Sequence, residues 1–240
     1  MRGKLYLIPS SLGAVSANNV IPAAIFKIIS TIKYFIVEKP RTARRFLIEL
    51  GIKPPFNNLT FLTLDKHTSQ DELSRFLDPV SEANIGLLSE AGVPCVADPG
   101  SEIVRLAHSK NIDVIPLVGP SSILLALMAS GLNGQSFAFT GYLPIRRNDR
   151  INKIKQLEKR SFNENQTQIF IETPYRNNQL FADIISSCSP VTLLSIATNL
   201  TMPDEQIRTM TISEWKRLNV DINKKPTVFI LLKTSPVFRK

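Results

Sequence analysis

Short apolar runs alternate with stretches of helical spacing through the first half of the chain. Lys4 to Ile8, Tyr34 to Val37, Leu59 to Leu64, Ile85 to Leu88 and Val114 to Val118 each read as a strand. Between them the apolar residues recur at helical intervals. Val20 to Thr31 reads as a helix with Pro22 in its first turn, and Thr42 to Leu50 as a helix closed by Gly51. Ser69 to Leu77 opens with a capping box, Ser69-Gln70-Asp71-Glu72, and Ser101 to Ser109 follows the fourth strand. Strand and helix in alternation predict a mostly parallel sheet with crossover helices.

The pattern changes at Gly119-Pro120-Ser121-Ser122. Beyond it, helices read at Ile123 to Ala129, Asp149 to Arg160 and Asn178 to Ser186. Strands read from Phe137, at Thr167 to Ile171, at Val191 to Ile196 and at Thr227 to Leu232. Strands here are less regularly separated by helices, which predicts a mixed, more antiparallel sheet. The chain is thus an α/β protein of two α/β domains, 1–118 and 119–240.

One loop stands out within this pattern. Ile85 to Gly100, IGLLSEAGVPCVADPG, runs from a buried strand into small residues, where Gly92 permits close approach to the main chain and Pro94 and Pro99 fix φ. Glu90 and Asp98 are its only charges. Such a loop at the carboxyl edge of a parallel sheet is where open α/β folds bind ligands. Pro9 to Gly13, after the first strand, has the same character but no G-x-G-x-x-G, which argues against a dinucleotide-binding dehydrogenase.

Composition narrows the classes further. The 240 residues are 43% hydrophobic and 20% charged, enough for a substantial core. Apolar Val20 to Val37 is interrupted by Lys27 and Lys33, so no membrane span is predicted, and the expected setting is cytoplasmic. Cys95 and Cys188 are too few for a disulfide framework, and His67 and His108 lack metal-ligand spacing, so no metal is expected. Net charge is +9, from 29 Lys and Arg against 20 Asp and Glu. That balance favours a polyanionic partner such as RNA. Arg146, Arg147 and Arg150 cluster where a helix is predicted to begin, opposing its dipole, and are the candidate substrate-binding residues.

KLYLIPSSLG at 4–13, VEKPR at 37–41, GLLSEAGVPCVADPG at 86–100, LVGPSSILLAL at 117–127, FTGYLP at 139–144 and FIETPYR at 170–176 occur in the order of the tetrapyrrole methylase superfamily. Within it the chain most resembles the branch that methylates a ribose 2′-hydroxyl of a cytidine in small-subunit ribosomal RNA. The resemblance implies S-adenosylmethionine (SAM) as cofactor in a cleft between two domains, an rRNA or ribosomal-particle partner, and a homodimer. By position, the cofactor would meet Leu12, Gly13, Ser89, Ala91, Gly92, Val93, Val96, Ser122 and Ile123. Ile171, Ala197, Thr198 and Pro226 of the second domain would complete the pocket. A sulfonium zwitterion with an adenine calls for main-chain polar groups and apolar walls, which these loops supply.

Methyl transfer from a sulfonium is an in-line displacement, favoured by alignment and helped by a base near a poorly nucleophilic hydroxyl. Glu38 and Glu90 are the candidate bases, and Arg41 the candidate anion contact, since its guanidinium offers a fork to phosphate. A structural ion pair between Glu38 and Arg41 is an equal alternative. Lys39, Pro40, Thr198 and Asn199 stand where the branch carries other residues, as does Lys225-Pro226. These departures keep two further readings open: a methyltransferase of a small molecule, and a catalytically retired SAM- or RNA-binding relative.

Overall fold

The structure, a computed structural model, describes residues 2–65 and 67–234. The chain divides into two compact units, Met1–Ser121 and Ser122–Lys240.

The first unit contains β1 (Leu5–Ile8), α1 (Ala17–Val20), α2 (Ala23–Ile29), β2 (Tyr34–Val37), α3 (Pro40–Glu49) and β3 (Thr60–Thr63). It continues with α4 (Gln70–Arg75), β4 (Ile85–Leu88), α5 (Gly100–Ser109) and β5 (Val114–Pro116). Its sheet has the order β3-β2-β4-β1-β5, with every pair parallel. Alternate strand residues serve opposite faces, as the pleat requires. Ile8, Phe35, Val37 and Leu88 join Ile25, Ile29, Phe46 and Leu47 in one core. Leu5, Ile36, Ile85 and Leu87 join Leu73, Ile103 and Ala107 in the other. Both faces are covered by helices, which is why the strands read as continuous apolar runs.

Two predicted helices differ in detail. Of Val20 to Thr31 only α2 is one helix, with α1 ending at Val20, because Pro22 lacks an N–H and holds Ile21 extended at φ −115°, ψ 126°. The next helix starts at Pro40, ahead of Thr42, with proline in the first helical position. The capping box on Ser69 and Glu72 forms as its sequence implies.

The second unit contains α6 (Ser122–Ser130), β6 (Phe137–Tyr142), α7 (Arg147–Glu164), β7 (Thr167–Ile171) and α8 (Asn177–Ser187). After them come β8 (Leu193–Thr198), β9 (Gln206–Thr211), α9 (Ile212–Trp215) and β10 (Thr227–Leu232). The sheet order is β6-β7-β10-β8-β9; β6 and β7 run parallel and the remaining pairs antiparallel. Its core joins Phe170, Phe229, Leu194 and Ile196 to Ile154, Leu157, Leu180 and Ile184 of α7 and α8. Trp215 is buried there and donates its indole N–H to the Leu194 carbonyl at 2.9 Å, anchoring α9 to the sheet. β9 is an edge strand that the apolar pattern did not reveal. Among the described residues no helix is long and apolar enough to cross a membrane.

Candidate active site

The carboxyl ends of β1 and β4 lie side by side, with Ile8 opposite Leu88. The loops that leave them are therefore neighbours, and hydrogen bonds join them. Ser10 donates its N–H to the Gly92 carbonyl at 2.9 Å and its hydroxyl to the Ser89 carbonyl at 3.2 Å. Ser89 Oγ also donates to the Gly92 carbonyl, at 3.0 Å. The loop after β5 closes on the same place. A Cβ on Gly92 would stand 2.9 Å from Leu12 Cδ2 and 3.3 Å from the Pro120 carbonyl oxygen, and φ there is +74°. Three small-residue loops thus meet at one sheet edge around a glycine.

Leu12, Gly13 and Val93 are half-buried here, Ser89 and Gly92 are buried, and Ala91 and Val96 face solvent. Ser11 Oγ is buried without a hydrogen-bond partner among the described residues. A buried hydroxyl left unpaired costs about 1–3 kcal/mol, so this edge offers an unused donor and acceptor beside close-packed main chain. Those are the features a sulfonium zwitterion can use.

Three carboxylates border this edge. Glu38 follows β2, and burial, then the Asp98 charge, pushes its carboxyl above the ordinary carboxylate range. The Glu90 backbone N–H partly offsets this, and the Glu90 charge adds to it. Glu90 itself accepts from Lys39 Nζ at 3.1 Å and from Thr42 Oγ1 at 3.3 Å. Asp98 receives the Cys95 N–H on both oxygens at 2.9 Å and the Gly100 N–H at 2.8 Å, which fixes the turn into α5. Burial still raises its pKa, against the pull of those two N–H groups. A cavity of about 10 Å³, room for a single water, is lined by Glu38, Ser89, Asp98 and Gly100. Two carboxylates with distinct surroundings result: Glu90 paired with a cation, and Glu38 raised by burial.

Arg41 lies at the start of α3, exposed, and forms no ion pair among the described residues. The alternative of a Glu38–Arg41 ion pair is therefore not what the fold contains: Lys39 is the cation that engages this cluster, and it takes Glu90. Lys39 is extended, at φ −133° and ψ 111°, as a residue before proline must be. Sequence reading passed over Lys39 and Thr42 as partners of Glu90, and over Asp98 as the clasp of the loop. An Asp-Pro-Gly leading into a helix was the available signal for the clasp.

In the second unit, the four residues expected at the cofactor also gather at one sheet end. Ile171 and Ala197 both pair with Val228, one on each side of β10, and Thr198 pairs with Thr227. The Pro226 carbonyl accepts the Asn199 N–H at 2.9 Å. Asn199 takes the left-handed conformation, at φ +51°, and donates its side-chain amide to Asp204 at 2.6 Å. Two positions that depart from the branch pattern thus hold each other. Ser122 and Ile123 form the first turn of α6, with Ile123 buried.

The model of the tetrapyrrole (corrin/porphyrin) methylases matches residues 28–216. The chain belongs to that family. Among curated relatives, the ribosomal RNA small subunit methyltransferase I of Vibrio cholerae serotype O1 is 29% identical over 232 residues, spanning 95% of this chain and 76% of that one. Its counterpart in Escherichia coli O157:H7 is 28% identical over 234 residues, spanning 96% and 78%. Among solved structures, the methyltransferase CobJ superposes with a TM-score of 0.64 at 16% identity, over 96% of this chain and 94% of that one. A uroporphyrin-III C-methyl transferase from Thermus thermophilus, complexed with S-adenosyl homocysteine, gives 0.54 at 15% identity, over 96% and 98%. Likenesses at such low identity establish the two-sheet tetrapyrrole methylase fold.

The arginine cluster of this methylase requires a correction. Arg150 is buried, donates Nε and Nη2 to Asp183 at 2.8 and 2.6 Å, and donates Nη1 to the Ile145 carbonyl at 2.7 Å. Its guanidinium is fully engaged within the fold and is not free for a substrate phosphate. Arg147 shares Asp183 at 3.0 Å but stays exposed, as does Arg146. His67 and His108 are exposed, and burial, then the Asp98 charge, pushes the Cys95 thiol up to about 12, leaving it inert as a nucleophile.

Proposed function

We propose that this tetrapyrrole methylase is a SAM-dependent methyltransferase that methylates a ribose 2′-hydroxyl in small-subunit ribosomal RNA. The observation that carries the reading is the convergence of three cross-tied loops on Gly92, beside an unpartnered buried Ser11 hydroxyl. Its support from relatives is the shared family and the names of the curated proteins, and the net charge of +9 suits an RNA partner. Small subunits lie in the cytoplasm, and the reading includes a homodimer.

When bound, SAM supplies an electrophilic methyl group on a sulfonium. Leu12, Gly13, Ser89, Gly92 and Val93 would hold it. Glu38 is the residue proposed for the ribose proton, because it borders the loop edge and burial raises its affinity for protons. Glu90, held by Lys39, keeps a negative charge nearby that favours proton uptake on Glu38. Arg41, exposed at the start of α3, would meet a phosphate.

The test is transfer of labelled methyl groups from SAM to small subunits isolated from a strain that lacks this modification, with the position mapped by mass spectrometry. Labelled 2′-O-methylcytidine is expected. Binding of SAM with no transfer to rRNA would overturn the reading in favour of the retired relative. Light scattering of the purified protein checks the dimer.

A further inference from the structure

The turn after β7 carries two side chains to which no role has yet been given. Tyr175 is 73% exposed. Beside it, Arg176 donates Nη2 to Glu172 Oε1 at 2.6 Å, and the same oxygen accepts the Thr173 N–H at 2.7 Å. The Glu172 side chain is wholly buried, whereas that of Arg176 is 30% exposed. Arg176 is thus gripped at one corner; its Nε has no partner among the described residues. Removing a carboxylate from water to orient one surface arginine is costly, and an apolar residue would serve the fold alone better.

A second loop is pinned to this turn. The Lys224 N–H donates to the Pro174 carbonyl at 2.9 Å, which sets Lys224 next to Tyr175. Asn177, fully buried, donates its side-chain amide to the Lys225 carbonyl at 2.7 Å and to Thr227 Oγ1 at 3.1 Å. Lys224 is exposed and held at φ +60°, so the backbone of the loop is committed to one course. An exposed aromatic ring, an oriented guanidinium and an exposed lysine therefore share one braced surface within the second unit.

We infer that this surface receives an unpaired nucleotide of the RNA substrate, with Tyr175 stacking on a base and Arg176 and Lys224 meeting the flanking phosphates. The inference rests on the rRNA reading above and locates an RNA contact apart from the arginine cluster. Aromatic stacking next to cationic groups suits single strands, since every base has a π-face and every link a phosphate. A duplex hides its base faces and would not use the tyrosine.

Fluorescence anisotropy with a labelled single-stranded oligoribonucleotide from the small subunit, and with its duplex, tests this. Wild type should favour the single strand. Tyr175→Ala should weaken that binding by about tenfold, and Tyr175→Phe should restore it, because the ring alone stacks. Lys224→Ala should lower the slope of log affinity against log salt by about 0.7. Each variant should bind SAM by calorimetry as wild type does, which shows that it is folded. If Tyr175→Ala binds RNA and methylates small subunits like wild type, the docking site is wrong and the proposed function stands. If it loses affinity for particles but not for free RNA, the patch contacts ribosomal protein and the inference falls. Wild type without affinity for small-subunit RNA and without transfer would remove both.

Discussion

Arg150 Nη2 lies 2.6 Å from Asp183 Oδ2, and both side chains are about 95% buried. The pair joins the first turn of α7 to the middle of α8, and Arg150 Nη1 continues the chain of bonds to the Ile145 carbonyl. Arg147, one turn away, holds the other Asp183 oxygen from the solvent side. One carboxylate therefore organises two arginines with opposite exposures.

The two arginines should respond differently to removal. Arg150→Ala leaves Asp183 buried and without its inner partner, an arrangement that costs about 3–5 kcal/mol. Arg147→Ala should cost ~0–1 kcal/mol, as exposed pairs do. Chemical denaturation followed through Trp215, the single tryptophan and a core residue of the same unit, measures both. Equal losses would mean that the inner pair is not the dominant contact.

Gly92 allows a sharper test of the loop convergence. A β-branched side chain there meets Leu12 Cδ2 and the Pro120 carbonyl, and must also adopt φ +74°. Gly92→Val should abolish heat of binding for SAM and for S-adenosylhomocysteine at millimolar ligand, with the circular dichroism spectrum of the folded protein retained. Undiminished binding would separate this edge from the cofactor.

Glu38 has a pKa raised chiefly by burial and next by Asp98, so the fold disfavours its charged form. Its favourable contribution is complete below the pKa of the unfolded chain and is lost as pH rises through the higher folded value. Glu38→Gln removes that charge. The variant should melt above wild type at pH 8, and the gain should vanish near pH 4. A difference independent of pH would show that the titrating group lies elsewhere.

Catalysis and structure separate at Glu38 and Arg41. Alanine at either should leave SAM affinity almost unchanged; Arg41→Ala should also leave the melting temperature alone, because Arg41 forms no ion pair among the described residues, while Glu38→Ala should move it only as loss of the Glu38 charge does. Methyl transfer should fall at least tenfold, ~1.4 kcal/mol of barrier. Unaltered turnover would remove both from the chemistry.

The sheets were legible wherever burial is two-sided. β1, β2 and β4 read directly because helices cover both faces and no polar residue interrupts them. β9 escaped notice for the opposite reason: Gln206, Arg208 and Thr209 of an edge strand leave no apolar run. The capping box of Thr211 and Glu214 before Trp215 was written in the sequence and overlooked, since it opens a helix of one turn. The loops that meet at Gly92 were legible as small residues after strands. Their mutual ties were not, because Ser10 and Ser89 are 79 positions apart. The same holds for Arg150, whose partner is 33 positions away on another helix. A cluster of like charges describes local sequence, and only the fold decides which member is turned inward.

The place of β1 has a consequence for the way this chain comes off the ribosome. β1 sits between β4 and β5, so both its neighbours come from residues 85 and beyond, synthesised after it. A nascent chain that has emerged only through β3 holds two edge strands with a vacant slot between them and no partner for Leu5 to Ile8. Ser10 has nothing to grip until Ser89 and Gly92 arrive. The edge where the three loops meet thus comes into being in one late step, after most of the first unit has been translated, and a truncated chain ending before β4 would have none of it. Non-local closure of this kind is slow relative to local helix formation, and its waiting strands are exposed to unwanted pairing.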